Sequence, residues 1–155
     1  MEIEEHAPGY RVVGAFAPVL KDWVSRVGCE VTYKITQILT GHGSFAVYLW
    51  EIGKLSSPAC GFCDGRDEDD AIHTLEECPQ WEEQRRLLGE SVEGGITLGN
   101  IFGRAMESID GWKAFSKFCE TVIGAKETRE REEEALRRAR SRFDRRPGSG
   151  SRGRD

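Results

Sequence analysis

Four residues of metal-ligand type crowd into 19 positions: Cys60-Gly61-Phe62-Cys63, then His73, then Cys78, a pattern of C-x2-C-x9-H-x4-C. Two cysteines separated by two residues can direct both sulfurs at one ion from a tight turn, and Gly61 admits that turn without a Cβ clash. His73 and Cys78 are close enough for one short helical turn to present both on the same side. Three thiolates and an imidazole suit a tetrahedral zinc site closed to water, so Cys60, Cys63, His73 and Cys78 are expected to hold structural zinc. Unligated thiols are the bland alternative. A redox pair of the C-G-x-C type would need a strand before it and a helix after it, and Ser56-Ser57-Pro58-Ala59 supplies neither. Cys29 and Cys119 lie beside apolar stripes and read as plain buried thiols.

The remaining polar features offer less chemistry. His42, between Gly41 and Gly43, suits a helix–helix corner better than a phosphate loop, because no lysine and no P-loop spacing accompany it. The acidic run Asp67-Glu68-Asp69-Asp70 points in all directions on a loop and reads as solvated. No Ser-His-Asp, H-E-x-x-H or glycine-rich phosphate motif is present, so the spacing reveals no catalytic site.

The elements that must position the cluster are helical. Val19, Leu20, Trp23 and Val27 predict a helix over 19–27. Over 31–40 Tyr33, Ile35 and Gln37 alternate as in a strand, yet Ile35, Ile38 and Leu39 also make a helical stripe; helix is favoured, with Gly41 as its C-cap and Ser44 as the next N-cap. Residues 45–52 are apolar nearly all round and imply a helix buried on most sides. Pro79 opens a helix through Leu88, and a short helix is expected over 97–106. The longest begins near Ser108, with Trp112, Phe115, Phe118, Cys119, Val122 and Ile123 as its stripe. The expected fold is therefore mainly α, a small helical domain with an embedded CCHC zinc-knuckle loop and a disordered basic C-terminal tail. Its expected division is a flexible N-terminus (1–14), the helical domain (15–124, knuckle at 58–80), and a charged helix running into an Arg/Gly/Ser tail (125–155).

Charge is sorted along the chain. The 155 residues sum to −5, yet 126–155 alone hold 11 basic and 7 acidic residues. The body is therefore acidic, and within 64–93 there are 11 acidic residues against three arginines. Mean hydropathy is −0.52. The sequence lacks the run of about 18 apolar residues that a membrane span requires. The acidic start Met1-Glu2-Ile3-Glu4-Glu5 has no apolar h-region and does not read as a signal peptide. An intracellular protein, nuclear or cytoplasmic and without a membrane partner, is the expectation.

A specific resemblance joins these pieces. Residues 35–45 (Ile35-Thr36-Gln37-Ile38-Leu39-Thr40-Gly41-His42-Gly43-Ser44-Phe45), the cysteine cluster, and His73-Thr74-Leu75-Glu76-Glu77-Cys78-Pro79-Gln80-Trp81 together resemble one family region. It is the C-terminal zinc-knuckle region of the reverse transcriptase polyprotein of non-LTR (LINE-type) retrotransposons, nearest the arthropod elements that insert into ribosomal DNA. The likeness runs from about residue 15 to about residue 135, with Trp112, Phe118-Cys119-Glu120 and Lys126-Glu127 inside it. The interval from Cys63 to His73 is lengthened by the acidic run. The resemblance implies a fragment that is non-catalytic by itself, since polymerase and endonuclease motifs are absent. In the parent RNA-directed DNA polymerase, this end would help hold RNA or target DNA during target-primed reverse transcription. With Met1 near the edge of the likeness, either a truncated element or a host-encoded fragment is expected.

Two functional expectations follow. In the first, the zinc loop displays Phe62 for stacking on an unpaired base. Arg85, Arg86, Arg137, Arg138, Arg140 and Arg142 neutralise phosphates, weakly and with strong salt dependence given the acidic body. In the second, zinc merely staples helices that pack on the rest of the polyprotein, and nucleic acid is not touched.

Overall fold

The structure, a computed structural model, describes residues 28–65 and 67–145 together with Ala17 and Ser25. The N-terminus over 1–14, most of the expected helix over 19–27, and the tail over 146–155 lie outside the described residues.

Five α-helices carry the fold, with no β-strand among the described residues: α1 (Tyr33–Thr40), α2 (Ala46–Glu51), α3 (Glu82–Ser91), α4 (Ile101–Ala105) and α5 (Ile109–Asp144). The ambiguous segment over 31–40 resolves as helix. Thr32 caps its start by accepting from the Ile35 N–H at 3.3 Å, and Gly41 ends it in the left-handed region at φ +70°. Only a residue without Cβ enters that region freely, so the helix stops where the sequence expects. His42 then stacks on Tyr48, ring centroids 4.7 Å apart, as a corner residue.

The start of α2 departs from expectation. Its N-cap is Phe45, whose side chain makes no cap bond, and Ser44 sends its hydroxyl to Glu130 Oε2 at 2.8 Å. The Ala46 N–H is instead satisfied by Asp69 Oδ2 at 3.1 Å, from 23 residues downstream. A tertiary carboxylate has replaced the local hydroxyl as acceptor. Residues 45–52 are also less enclosed than their composition suggests, for Trp50 and Ile52 remain about half exposed.

Helix α5 is the spine. Ser108 caps it by accepting from the Gly111 N–H at 2.9 Å, and it runs for 36 residues without a break at 124–125. It packs on α1, α3 and α4 through the predicted stripe of Phe115, Phe118, Cys119, Val122 and Ile123, all fully or nearly fully buried. Phe102, Trp112 and Phe115 meet edge-to-face at centroid distances of 5.6 and 6.1 Å, the geometry aromatic quadrupoles favour. Burial at roughly 25 cal/mol per Å² of apolar surface makes this stripe the main source of cohesion.

Candidate metal centre

The metal-ligand loop begins where the chain folds back on itself. A single antiparallel bridge joins Ala59 to Glu68, with Cys60 N–H donating to Asp67 O (2.8 Å) and Asp69 N–H to Pro58 O (2.9 Å). These bonds close the neck of the loop and leave Cys60 and Cys63 at its turn. Gly61 also faces the tip of the flexible Arg129 side chain. A Cβ there would run into the Arg129 guanidinium, which donates to the Gly61 carbonyl.

His73 and Cys78 come from one π-helical turn, His73–Glu77. Asp70 accepts from the His73 N–H at 2.8 Å, and the Cys78 N–H closes the wide turn onto His73 O at 2.6 Å. This five-residue hydrogen-bond step places residues 73 and 78 on one side, and such turns recur at functional sites. Pro79 follows at once and starts the 3₁₀ turn Pro79–Trp81 that leads into α3.

The four ligand atoms lie within 4.8 Å of one another. Cys60 Sγ and Cys78 Sγ are 3.9 Å apart, and Cys63 Sγ is 3.6 Å from His73 Nε2. A tetrahedral ion with metal–sulfur bonds of about 2.3 Å and metal–nitrogen bonds of about 2.0–2.1 Å demands edges of about 3.8 and 3.6 Å. Two of the six edges therefore already have the length that such a site requires, and the rest lie within 4.8 Å. Cys60, His73 and Cys78 are buried and Cys63 half-buried.

With the cluster metal-free, burial pushes the Cys60 thiol up to about 12, and burial likewise raises Cys78. A metal bound there would have to displace those protons, so its affinity would rise with pH. With Nε2 facing the sulfurs, the His73 Nδ1 is buried without a hydrogen-bond partner, and the Glu77 carboxylate stands 3.6 Å away. A carboxylate behind the distal nitrogen is the usual arrangement for fixing a ligating imidazole's tautomer.

The residues expected to touch nucleic acid are placed less uniformly. Phe62 is half-buried, tilted against Trp81 at 5.1 Å, with Lys126 Nζ and the Arg129 guanidinium 5.0 and 5.1 Å from its ring centroid. Arg85 reaches back to the cluster, donating to Cys78 O (2.6 Å) and Thr74 O (3.3 Å). Arg86 is forked onto Glu83 and bonded to Glu90. Further out, Arg137 donates to Lys54 O and Arg138 pairs with Glu134, while Arg140 and Arg142 are exposed on α5.

Three further residues matter to the site. Asp69, expected to be solvated, is 3% exposed and ion-paired with Lys126, itself 2% exposed. The same carboxylate accepts from Thr74 Oγ1 at 3.2 Å and from the Ala46 N–H. It thereby ties α2, the π turn and α5 together. Arg129 is the third, clamping the loop at Gly61. One signal for Lys126 was present: it stands four residues after Val122 and continues the core stripe of α5.

This is a helical domain in which three cysteines and a histidine are placed to bind a metal ion. Its sequence is similar to two Pol polyproteins of R1 retrotransposable elements. It is 27% identical over 110 residues (71% of this chain) to the "Retrovirus-related Pol polyprotein from type-1 retrotransposable element R1 4" of Nasonia vitripennis. It is 30% identical over 90 residues (56% of this chain) to that from type-1 retrotransposable element R1 of Bradysia coprophila. These likenesses support the resemblance to an R1-like region of a non-LTR retrotransposon Pol polyprotein. The matches span 26% of the first relative and 8% of the second. No family model and no solved structure matches the chain. No helix among the described residues is long and apolar enough to cross a membrane.

Proposed function

We propose that this chain is the zinc-knuckle region of an R1-like reverse transcriptase polyprotein. It is non-catalytic by itself and assists RNA or target-DNA binding in target-primed reverse transcription. The observation that carries the reading is the convergence of Cys60, Cys63, His73 and Cys78, their ligand atoms within 4.8 Å of one another, in a chain similar to R1 Pol polyproteins. Zinc suits the donor set because three thiolates and one imidazole form a closed, redox-silent structural site. When bound, it supplies cross-linking of the loop to the π turn and no reactive position.

The packing of Phe62, Arg85 and Arg86 favours a division of labour. The knuckle orients, and the arginines from Arg137 onward meet phosphate. A second reading, docking on the rest of the polyprotein without nucleic-acid contact, is favoured by the same three residues being engaged within the domain. Titrating the zinc-loaded chain against labelled RNA and DNA at 50 mM salt separates the two. Measurable binding that fades steeply with added salt supports the first, and no binding to either supports docking.

A further inference from the structure

The loop that follows α2 comes to rest against the outer half of α5. The Lys54 and Leu55 N–H groups both donate to Leu49 O, at 2.7 and 3.1 Å, which pins the loop to its helix. Arg137 donates to Lys54 O from 83 residues away and closes the loop onto α5. Between them runs a groove lined by Gly53, Lys54, Arg137, Arg138, Arg142 and Arg145, with Glu130, Glu134 and Ser141 as its other walls. Five cations from two distant segments thus face one channel in a protein whose net charge is −5. Lys54 is 60% and Arg138 71% exposed at the side chain, so both heads are open to a ligand despite their contacts with Glu130 and Glu134.

What the groove lacks is equally informative. None of its lining residues is aromatic or large and apolar. Base-stacking platforms, the usual means of gripping single strands, are missing from it. A surface with cations and no stacking side chain responds to phosphate density, which is highest on a duplex, at one charge per roughly 1.7 Å of axis. Arg138, Arg142 and Arg145 sit at i, i+4 and i+7 on one helical face, spanning about 10 Å, the axial length of about three phosphates on one strand.

We infer that the groove between the 53–56 loop and α5 is a phosphate-backbone track for double-stranded nucleic acid, read without regard to sequence. The inference rests on the nucleic-acid reading above and adds the form of the ligand, its site, and Lys54 and Arg145 as contacts. Five engaged cations give a logarithmic salt slope near −4.5, an affinity loss of about 500-fold between 50 and 200 mM salt.

The test uses the full zinc-loaded chain with 20-base-pair duplexes of two unrelated sequences and the matching single strands. The quadruple variant Lys54→Gln, Arg138→Gln, Arg142→Gln, Arg145→Gln should flatten the slope by about 3.6, at about 0.9 per cation. Arg137 is left in place because it holds the loop. Lys54→Gln alone, on an exposed loop side chain, should flatten it by about 0.9 and guards against loss of structure in the quadruple variant. The control Arg146→Gln, Arg152→Gln, Arg154→Gln should keep most of the slope, and both duplexes should bind alike and more tightly than either single strand. An unchanged slope in both groove variants, or dependence on the control arginines alone, overturns the track while leaving nucleic-acid binding intact. Tighter binding to single strands overturns the duplex assignment. If the unaltered chain binds no nucleic acid at 50 mM salt, the functional reading itself fails.

Discussion

Removing the Asp69 carboxylate should be the most damaging single change to this domain outside its metal ligands. In Asp69→Ala, Lys126 keeps an ammonium at 2% exposure, with only the Phe45 and Phe62 rings at 5.2 and 5.0 Å for company. The Ala46 N–H and Thr74 hydroxyl lose their acceptor in the same stroke. An uncompensated buried charge costs about 3–5 kcal/mol. That is a large share of the roughly 5–15 kcal/mol by which a domain is stable, and corresponds to a fall in Tm of roughly 10–20 °C. Lys126→Met should cost less, because the stranded carboxylate retains two donors. The double variant Asp69→Ala, Lys126→Met should recover much of the loss, since an apolar replacement of a buried pair is often near neutral. Urea denaturation of the four zinc-loaded proteins, followed by circular dichroism at 222 nm, closes the cycle. A cost below about 1 kcal/mol for Asp69→Ala, or a double variant as unstable as the two single changes summed, refutes the assignment of Asp69 as a buried tie.

Elemental analysis should find one zinc per chain, and chelation or Cys63→Ser should remove hydrogen-exchange protection over 55–90, because metal binding and loop folding are one equilibrium. Phe62→Ala should destabilise by about 2–4 kcal/mol through lost packing on Trp81, measured by melting before any binding assay. Ser108→Ala should cost about 1 kcal/mol by leaving the Gly111 N–H uncapped at the head of α5, again read from urea curves. In native protein a thiol reagent should spare Cys119, whose complete burial raises its pKa, until the chain unfolds; rapid labelling of Cys119 would contradict its place in the core.

The metal set and most helix boundaries were legible because they are local. C-x2-C, the His73–Cys78 interval, Gly41 and Ser108 each act within five residues, and the stripe of α5 repeats at helical spacing. What escaped was carried by pairs remote in sequence. Asp69 lies in a run of four acids whose composition argues for solvation, and its counter-ion stands 57 residues later. Nothing near Asp69 distinguishes it from Asp67. Ser44 looked like a cap because serine usually is one, and Asp69 displaced it from that role. Phe62 and Arg85 have the residue types of nucleic-acid contacts, yet both lie within reach of buried partners: Trp81 in one case, the carbonyls of Thr74 and Cys78 in the other. Residue type alone does not reveal which surface a flexible side chain will cover.

Helix α5 has a mechanical consequence. At 1.5 Å per residue its 36 residues extend about 54 Å. Lys126, bolted to Asp69, sits near the midpoint. The 18 residues beyond it project about 27 Å, so a tilt of about 5° at that pivot would swing the far end by about 2 Å. Small changes in the seating of the metal loop are thus levered outward along a rigid strut. An ion held by the Cys3His set would, through Asp69 and Lys126, bear on the direction in which the basic end points.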